Sequence, residues 1–184
     1  RCEPDDFRPG LFGIMHEAGH AMYEQGLPRE LARTPLGEAV SLGIHESQSR
    51  LWENQVGRSR PFWEWALPHF HGAFPGSSDV TVDALFPALH TITPSVIRVE
   101  ADEGTYNLHI IARFEIERQM IAGTVDVADL PTIWSDTYDE LLGVRPISVA
   151  DGVLQDIHWA AGAIGYFPTY TLGNLVDAKL FEAA

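Results

Sequence analysis

The sequence predicts an all-α fold. Apolar residues recur three and four positions apart through most of the chain, N-capping residues and Gly or Pro stops punctuate those stretches, and no repeat or low-complexity segment interrupts them. Residues 3–28 predict a first helix with Asp5 or Asp6 as N-cap, Pro9 in the first turn, and Gly26 with Pro28 as its stop. Leu11, Met15, Ala18 and Met22 form its expected apolar stripe. A connection through Pro28 and Pro35 leads to a second helix starting at Ser41, with Leu42, His45, Ser49 and Trp52 at helical spacing. The aromatic, proline-rich segment 60–76 predicts a short helix ending near Pro75. Residues 79–92 fit either a short extended start or a helix and are assigned mostly to helix. Residues 93–123 predict a long helix bent at Gly104, and residues 129–143 another, capped by Asp129 and stopped by Gly143. The last third mixes helical spacing with Gly162, Gly165, Pro168 and Gly173 beside His, Trp and Tyr, a pattern that reads as backbone approaching a ligand closely.

The 184 residues, 45% of them hydrophobic, suit one globular unit with a real core. Twelve Lys and Arg against 26 Asp and Glu leave a formal net charge of -14, which repels nucleic-acid phosphates and anionic membrane surfaces. No nucleic-acid or membrane partner is expected. A spanning helix needs roughly 20 consecutive apolar residues, and no window approaches that. The lone Cys2 forms no internal disulfide, and eight histidines without a cysteine cluster exclude a Cys-rich structural zinc module. A reducing, cytoplasmic setting is the expectation. The chain starts at Arg1 rather than Met and runs directly into helical pattern, so an upstream part is expected to have been removed or to be encoded elsewhere.

The segment FGIMHEAGHAMYEQG, residues 12–26, carries the chemistry. On a helix His16 and His20 lie one above the other and present both imidazoles to one metal ion, with Glu17 beside it. Catalytic zinc takes three protein ligands and keeps a fourth position open for water, and Glu17 is then the general base for that water. Chance produces this spacing too, but two unpaired histidines in an apolar, small-residue helix are costly to bury without a task. A third histidine six positions after His20 is excluded, because Gly26 stands there. Glu46, 26 residues after His20 (46 minus 20), lies on the second predicted helix and is the expected third ligand. Glu38 falls in the connection, and Glu53 reads as a solvated helix face. His45 reads as an outer-shell or core residue, and Arg50, one turn after Glu46, either steadies that carboxylate or forms an ordinary surface pair.

The blocks HEAGH, HESQSR, IRVEAD and GVLQDIHW, with GYFPTY after them, resemble in order the motifs of the carboxypeptidase Taq, or M32, metallocarboxypeptidases over nearly the whole chain. The resemblance implies a gluzincin-like helical fold in which the HExxH helix lies against a second helix carrying the third ligand. It implies His16, His20 and Glu46 as zinc ligands, with cobalt or manganese accepted by the same set, and Glu17 as the base. Arg98 in IRVEAD is then the receptor for a peptide's terminal carboxylate, the alternative being an ion pair with Asp102 at i+4. His158, with Tyr166 or Tyr170, is the expected donor to the oxyanion, and which tyrosine turns inward is not legible in sequence. Gln155 and Asp156 read as outer-shell groups, and Trp134, Trp159 and Phe167 as core.

Family members run to well over twice this length, and their upstream HPF and DxRxT blocks are missing here. The expectation is therefore a single domain, residues 1–184, forming the central-to-C-terminal part of a catalytic domain. The substrate would be a peptide with a free C-terminus. Partnering is expected as a homodimer or with a missing half, since a half-cleft exposes apolar surface. Two alternatives stay open: an inactive zinc-binding fragment, and a dipeptidase or endopeptidase on the same site.

Overall fold

A computed structural model describes residues 6–184; Asp5, one of the two cap candidates, and Cys2 lie outside the described residues. Among the described residues seven α-helices follow in order: α1 Arg8–Gly26, α2 Leu42–Arg50, α3 Arg60–Ala73, α4 Val82–Leu89, α5 Tyr106–Ile121, α6 Leu130–Leu142 and α7 Pro168–Ala183. Short 3-10 turns join them, and no β-strand forms among the described residues. The chain divides into two compact units. One comprises the chain up to Thr91 together with Leu172–Ala184, and the other comprises Ile92–Thr171.

In the first unit Phe7, not the expected Asp6, is the N-cap of α1, and no side chain caps the helix; Asp6 accepts from the Arg8 backbone N–H (3.0 Å) and pairs with the Arg8 guanidinium, and Pro9 stands in the first turn. The expected stripe of Leu11, Met15, Ala18 and Met22 is not the buried face, for Ala18 and Met22 are exposed. Phe12 and Gly19 are buried instead. The reason is the close approach of α2: a Cβ on Gly19 would stand 2.5 Å from the Gln48 carbonyl oxygen and 2.6 Å from Ser49 Cα.

Ser41 caps α2, its Oγ accepting from Ile44 N at 3.1 Å. The helix continues into one π-helical turn, Leu51–Val56. Leu42 and Trp52 face outward, while the buried positions are Gly43, Glu46, Ser47, Ser49 and Arg50. A helix that buries polar groups must satisfy them. Ser47 and Ser49 donate to the carbonyls of Ile44 and Glu46, and Arg50 Nε donates to Asn174 on α7. Gly173 of α7 lies over the Glu46 side chain, where a Cβ would stand 3.2 Å from it. Phe12, Trp63, Ala66, Leu85 and Leu89 of α1, α3 and α4 make the apolar core of this unit.

In the second unit α5 and α6 bury Ala112, Ile116, Leu130, Trp134, Tyr138 and Leu142. Gly143 closes α6 at φ 68°, a left-handed position suited to glycine. The long helix expected over residues 93–123 is a loop followed by the shorter α5. Asp102 accepts from the backbone N–H of both Thr93 and Thr105 (2.8 Å each), which folds residues 93–102 back and gives α5 its start. Arg98 therefore sits in a 3-10 turn, Arg98–Glu100, rather than on a helix. Gly162 and Gly165 serve their backbone, with φ of 75° and 77° and open space where a side chain would go. The close approach expected of the last third occurs at Gly173, toward another helix.

Gly19→Ala should therefore destabilise the chain by about 1–3 kcal/mol through backbone overlap. Gly13→Ala, on the same helix with open space around it, should stabilise it by about 0.5–1 kcal/mol. Urea unfolding of both variants measures the contrast, and equal effects would show that α1 and α2 have room to part.

Candidate metal centre

Three lone-pair atoms converge between α1 and α2. His20 Nε2 lies 3.2 Å from His16 Nε2 and 3.4 Å from Glu46 Oε2, and His16 Nε2 lies 3.9 Å from that same oxygen. A tetrahedral ion with bonds of about 2.0–2.1 Å holds its ligand atoms roughly 3.3 Å apart. These are the groups that the sequence spacing brings together, and among the described residues they form the cluster able to hold a metal.

The outer contacts fix the tautomers. His16 Nδ1 faces Glu53 Oε2 at 2.9 Å, so it carries the proton and donates, which leaves the Nε2 lone pair directed at the cluster. His20 Nδ1 faces His45 Nδ1 at 2.6 Å, and His45 Nε2 faces Glu24 Oε1 at 2.8 Å. A carboxylate only accepts, so His45 donates from Nε2 to Glu24 and accepts on Nδ1 from His20. That again turns a lone pair, on His20 Nε2, inward. Two imidazole lone pairs and a carboxylate oxygen facing one another repel unless a cation or proton stands among them, so the donor set fits a divalent ion.

Glu53 is thus no solvated surface group. It lies in the π-helical turn, part-buried, and takes Arg50 Nη1 at 2.9 Å on the oxygen that also meets His16. Arg50 steadies this outer carboxylate. Burial works to raise Glu53, but Arg50 and the His16 hydrogen bond outweigh it and hold its pKa below the ordinary value. At His16 burial opposes the charged ring, yet the hydrogen bond and charge of Glu53, with Glu46, raise its pKa above the usual histidine value. Burial and the two neighbouring histidines lower His20. Burial also raises Glu46, against the pull of His16 and Arg50. Glu17, next to His16, is exposed.

The second unit gathers the remaining sequence-singled residues. Asp156 Oδ1 accepts from Arg98 Nε (3.1 Å) and Nη2 (2.8 Å), while its Oδ2 accepts from Arg113 Nε at 2.6 Å. Arg98 Nη1 donates to the Tyr106 hydroxyl at 2.9 Å, and its guanidinium lies 4.9 Å from the Tyr170 ring centre. The i+4 pair with Asp102 is not formed, since Asp102 is engaged with backbone. Gln155 ties the two loops, accepting from Arg98 N and donating to Val96 O at 2.9 Å. His158 Nε2 meets the Tyr170 hydroxyl at 3.0 Å, and the Tyr166 ring lies 5.0 Å from the His158 ring. Burial, first of all, keeps His158 below the usual histidine pKa. Phe167 and Trp134 are core, as read, while Trp159 donates to Glu117 at 2.6 Å.

A sequence model of the family described as carboxypeptidase Taq (M32) metallopeptidase matches residues 1–184. The chain is 54% identical over 184 residues to thermostable carboxypeptidase 1 of Thermus thermophilus, and 46% identical over 181 residues to the Pyrococcus furiosus protein of the same name. These matches cover 100% and 98% of the chain but 36% of each relative, so the chain spans about a third of their length. The crystal structure of an M32 carboxypeptidase from Deinococcus radiodurans superposes with a TM-score of 0.94 at 48% identity, over 100% of this chain and 37% of that one.

The protonation state of His16 sets a pH prediction. A raised folded pKa means that the proton on His16 stabilises the metal-free chain below the unfolded value of about 6.5. That contribution is lost as pH rises through the folded pKa. Metal needs the neutral ring, so apparent metal affinity should weaken as pH falls through that range above about 6.5. Glu53→Gln should lower affinity by about 10–100-fold at every pH. Chelator-competition titrations measure both, and a pH-independent affinity would contradict the assignment.

Proposed function

The chain belongs to the carboxypeptidase Taq (M32) metallopeptidase family, and on that premise we propose that it acts as a zinc metallocarboxypeptidase, removing the C-terminal residue of a peptide that has a free terminal carboxylate. The observation that carries this reading is the triangle of His16 Nε2, His20 Nε2 and Glu46 Oε2, two of whose edges, 3.2 and 3.4 Å, suit a tetrahedral ion while the third, 3.9 Å, is longer. Those three residues would hold zinc, and the same donors accept cobalt or manganese. When bound, the ion supplies Lewis acidity, making a water acidic near neutral pH and polarising a carbonyl.

The rest falls to side chains of this chain. Glu17, an exposed carboxylate close enough to act on His20 electrostatically, accepts the proton of the attacking water and returns it to the leaving amine. Arg98 receives the terminal carboxylate; its contacts with Asp156 and Tyr106 engage three of its five N–H donors and leave two. His158, with Tyr166 or Tyr170, donates to the developing oxyanion, and the 3.0 Å contact with His158 favours Tyr170. A cytoplasmic setting suits the net charge of -14 and the lone cysteine. No helix among the described residues is long and apolar enough to cross a membrane.

A second reading follows from length. At 36% of its relatives' length, the chain would hold the metal and turn over substrate only in association with itself or with a further segment of the family's fold.

The zinc-loaded chain should release the free C-terminal amino acid from an N-blocked dipeptide, and a chelator should abolish the release. Glu17→Gln should cut turnover about 10²–10⁴-fold while leaving the bound zinc unchanged. Cleavage of a C-terminally amidated substrate at an equal rate would replace the carboxypeptidase reading with an endopeptidase one. Zinc binding without release would support the second reading.

A further inference from the structure

The deepest charge of the second unit is one that the proposed reaction leaves unused. Arg113 is fully buried. Its guanidinium lies 4.6 Å from the Trp134 ring centre and 5.4 Å from that of Phe167. Nη1 donates to the His109 carbonyl (2.8 Å) and the Tyr138 hydroxyl (2.7 Å), and Nε donates to Asp156 Oδ2 at 2.6 Å. Burying a guanidinium is costly, and a structural role alone would be met as well by an apolar side chain of similar volume.

The two arginines share one carboxylate. Burial works to raise Asp156, but the hydrogen bonds and charges of Arg98 and Arg113 hold its pKa below the ordinary value, so it is ionised at neutral pH. Glu117, on α5, is held by neutral donors, the Trp159 indole N–H and the Gly165 backbone N–H. His109 adds no charge at neutral pH, since burial and the two arginines push it down to about 4. At hydrogen-bond range the group therefore holds two positive charges against one negative. An isolated Arg98–Asp156 pair would be neutral overall and would offer an incoming anion little attraction. With Arg113 on the far oxygen, Asp156 is already balanced.

We propose that Arg113 is a positioning residue that holds and neutralises Asp156, leaving the charge of Arg98 available to an anionic ligand, the terminal carboxylate of a peptide. The inference rests on the role given above to Arg98. It assigns the acid selectivity of that site to a residue that never touches the ligand.

The test is binding of N-acetyl-phenylalanine and of its amide to the metal-free chain, followed by NMR titration. The absence of metal keeps the carboxylate from a competing site. The wild-type chain should bind the acid at least tenfold more tightly than the amide, and equal binding would remove Arg98 from its role before Arg113 is considered. Given that preference, Arg113→Gln should reduce it to within twofold, whereas Arg113→Lys, which keeps the charge, should retain most of it. The double variant Arg113→Gln with Asp156→Asn removes one charge of each sign and should restore the preference, a rescue that a purely structural role would not produce. If Arg113→Gln does not fold, the double variant and Arg113→Lys decide the matter. Loss of the preference in either, or its full retention in a folded Arg113→Gln chain, would overturn the proposal.

Discussion

The contact between Gly19 and the backbone of Gln48 and Ser49 sets the separation of α1 from α2, and that separation decides whether two imidazoles and a carboxylate can meet. Any side chain at Gly19 would push the helices apart. On the opposite flank Gly173 lets α7 lie directly over the Glu46 side chain. The donor atoms are therefore fixed less by their own rotamers than by two positions where side chains are absent. The apolar cluster around Phe12 and Trp63 then anchors α1 against α3 and α4.

Around that frame the outer polar contacts decide which atoms face the metal. Glu53 and the His45–Glu24 pair take the Nδ1 protons of His16 and His20 and so turn both Nε2 lone pairs inward. This orders the site before any ion arrives, at the cost of placing acceptors face to face. The raised pKa of His16 is the mark of that arrangement in the metal-free chain. Unit two uses similar logic at Asp156, where one carboxylate is divided between two guanidinium groups.

Much of the first site was legible because helix geometry is local. Four-residue spacing places His16 over His20, and the capping Ser41 marks the helix that bears Glu46. Glu53 was misread as surface, although it stands seven residues after Glu46, two helical turns on, and that spacing is the available signal. The buried face of α2 was misjudged for a related reason: apolar Leu42, and Trp52 in the π-helical turn that follows, point outward while Glu46, Ser47, Ser49 and Arg50 point inward, the reverse of an ordinary amphipathic helix. Residues 93–105 look helical by composition, and only the reach of Asp102 to Thr93 and Thr105 makes them a loop. The partners of Arg98 come from residues 106 and 156, and no spacing rule reaches across such distances in sequence.

The most direct test of the metal centre is X-ray absorption at the zinc edge of the zinc-loaded chain. Two imidazole nitrogens and a carboxylate oxygen at about 2.0–2.2 Å, with the scattering pattern of two histidines, are predicted. A third imidazole would mean that His45 leaves Glu24 to bind the ion, and a single imidazole would mean that α1 does not present His16 and His20 to the ion together, which would contradict the account.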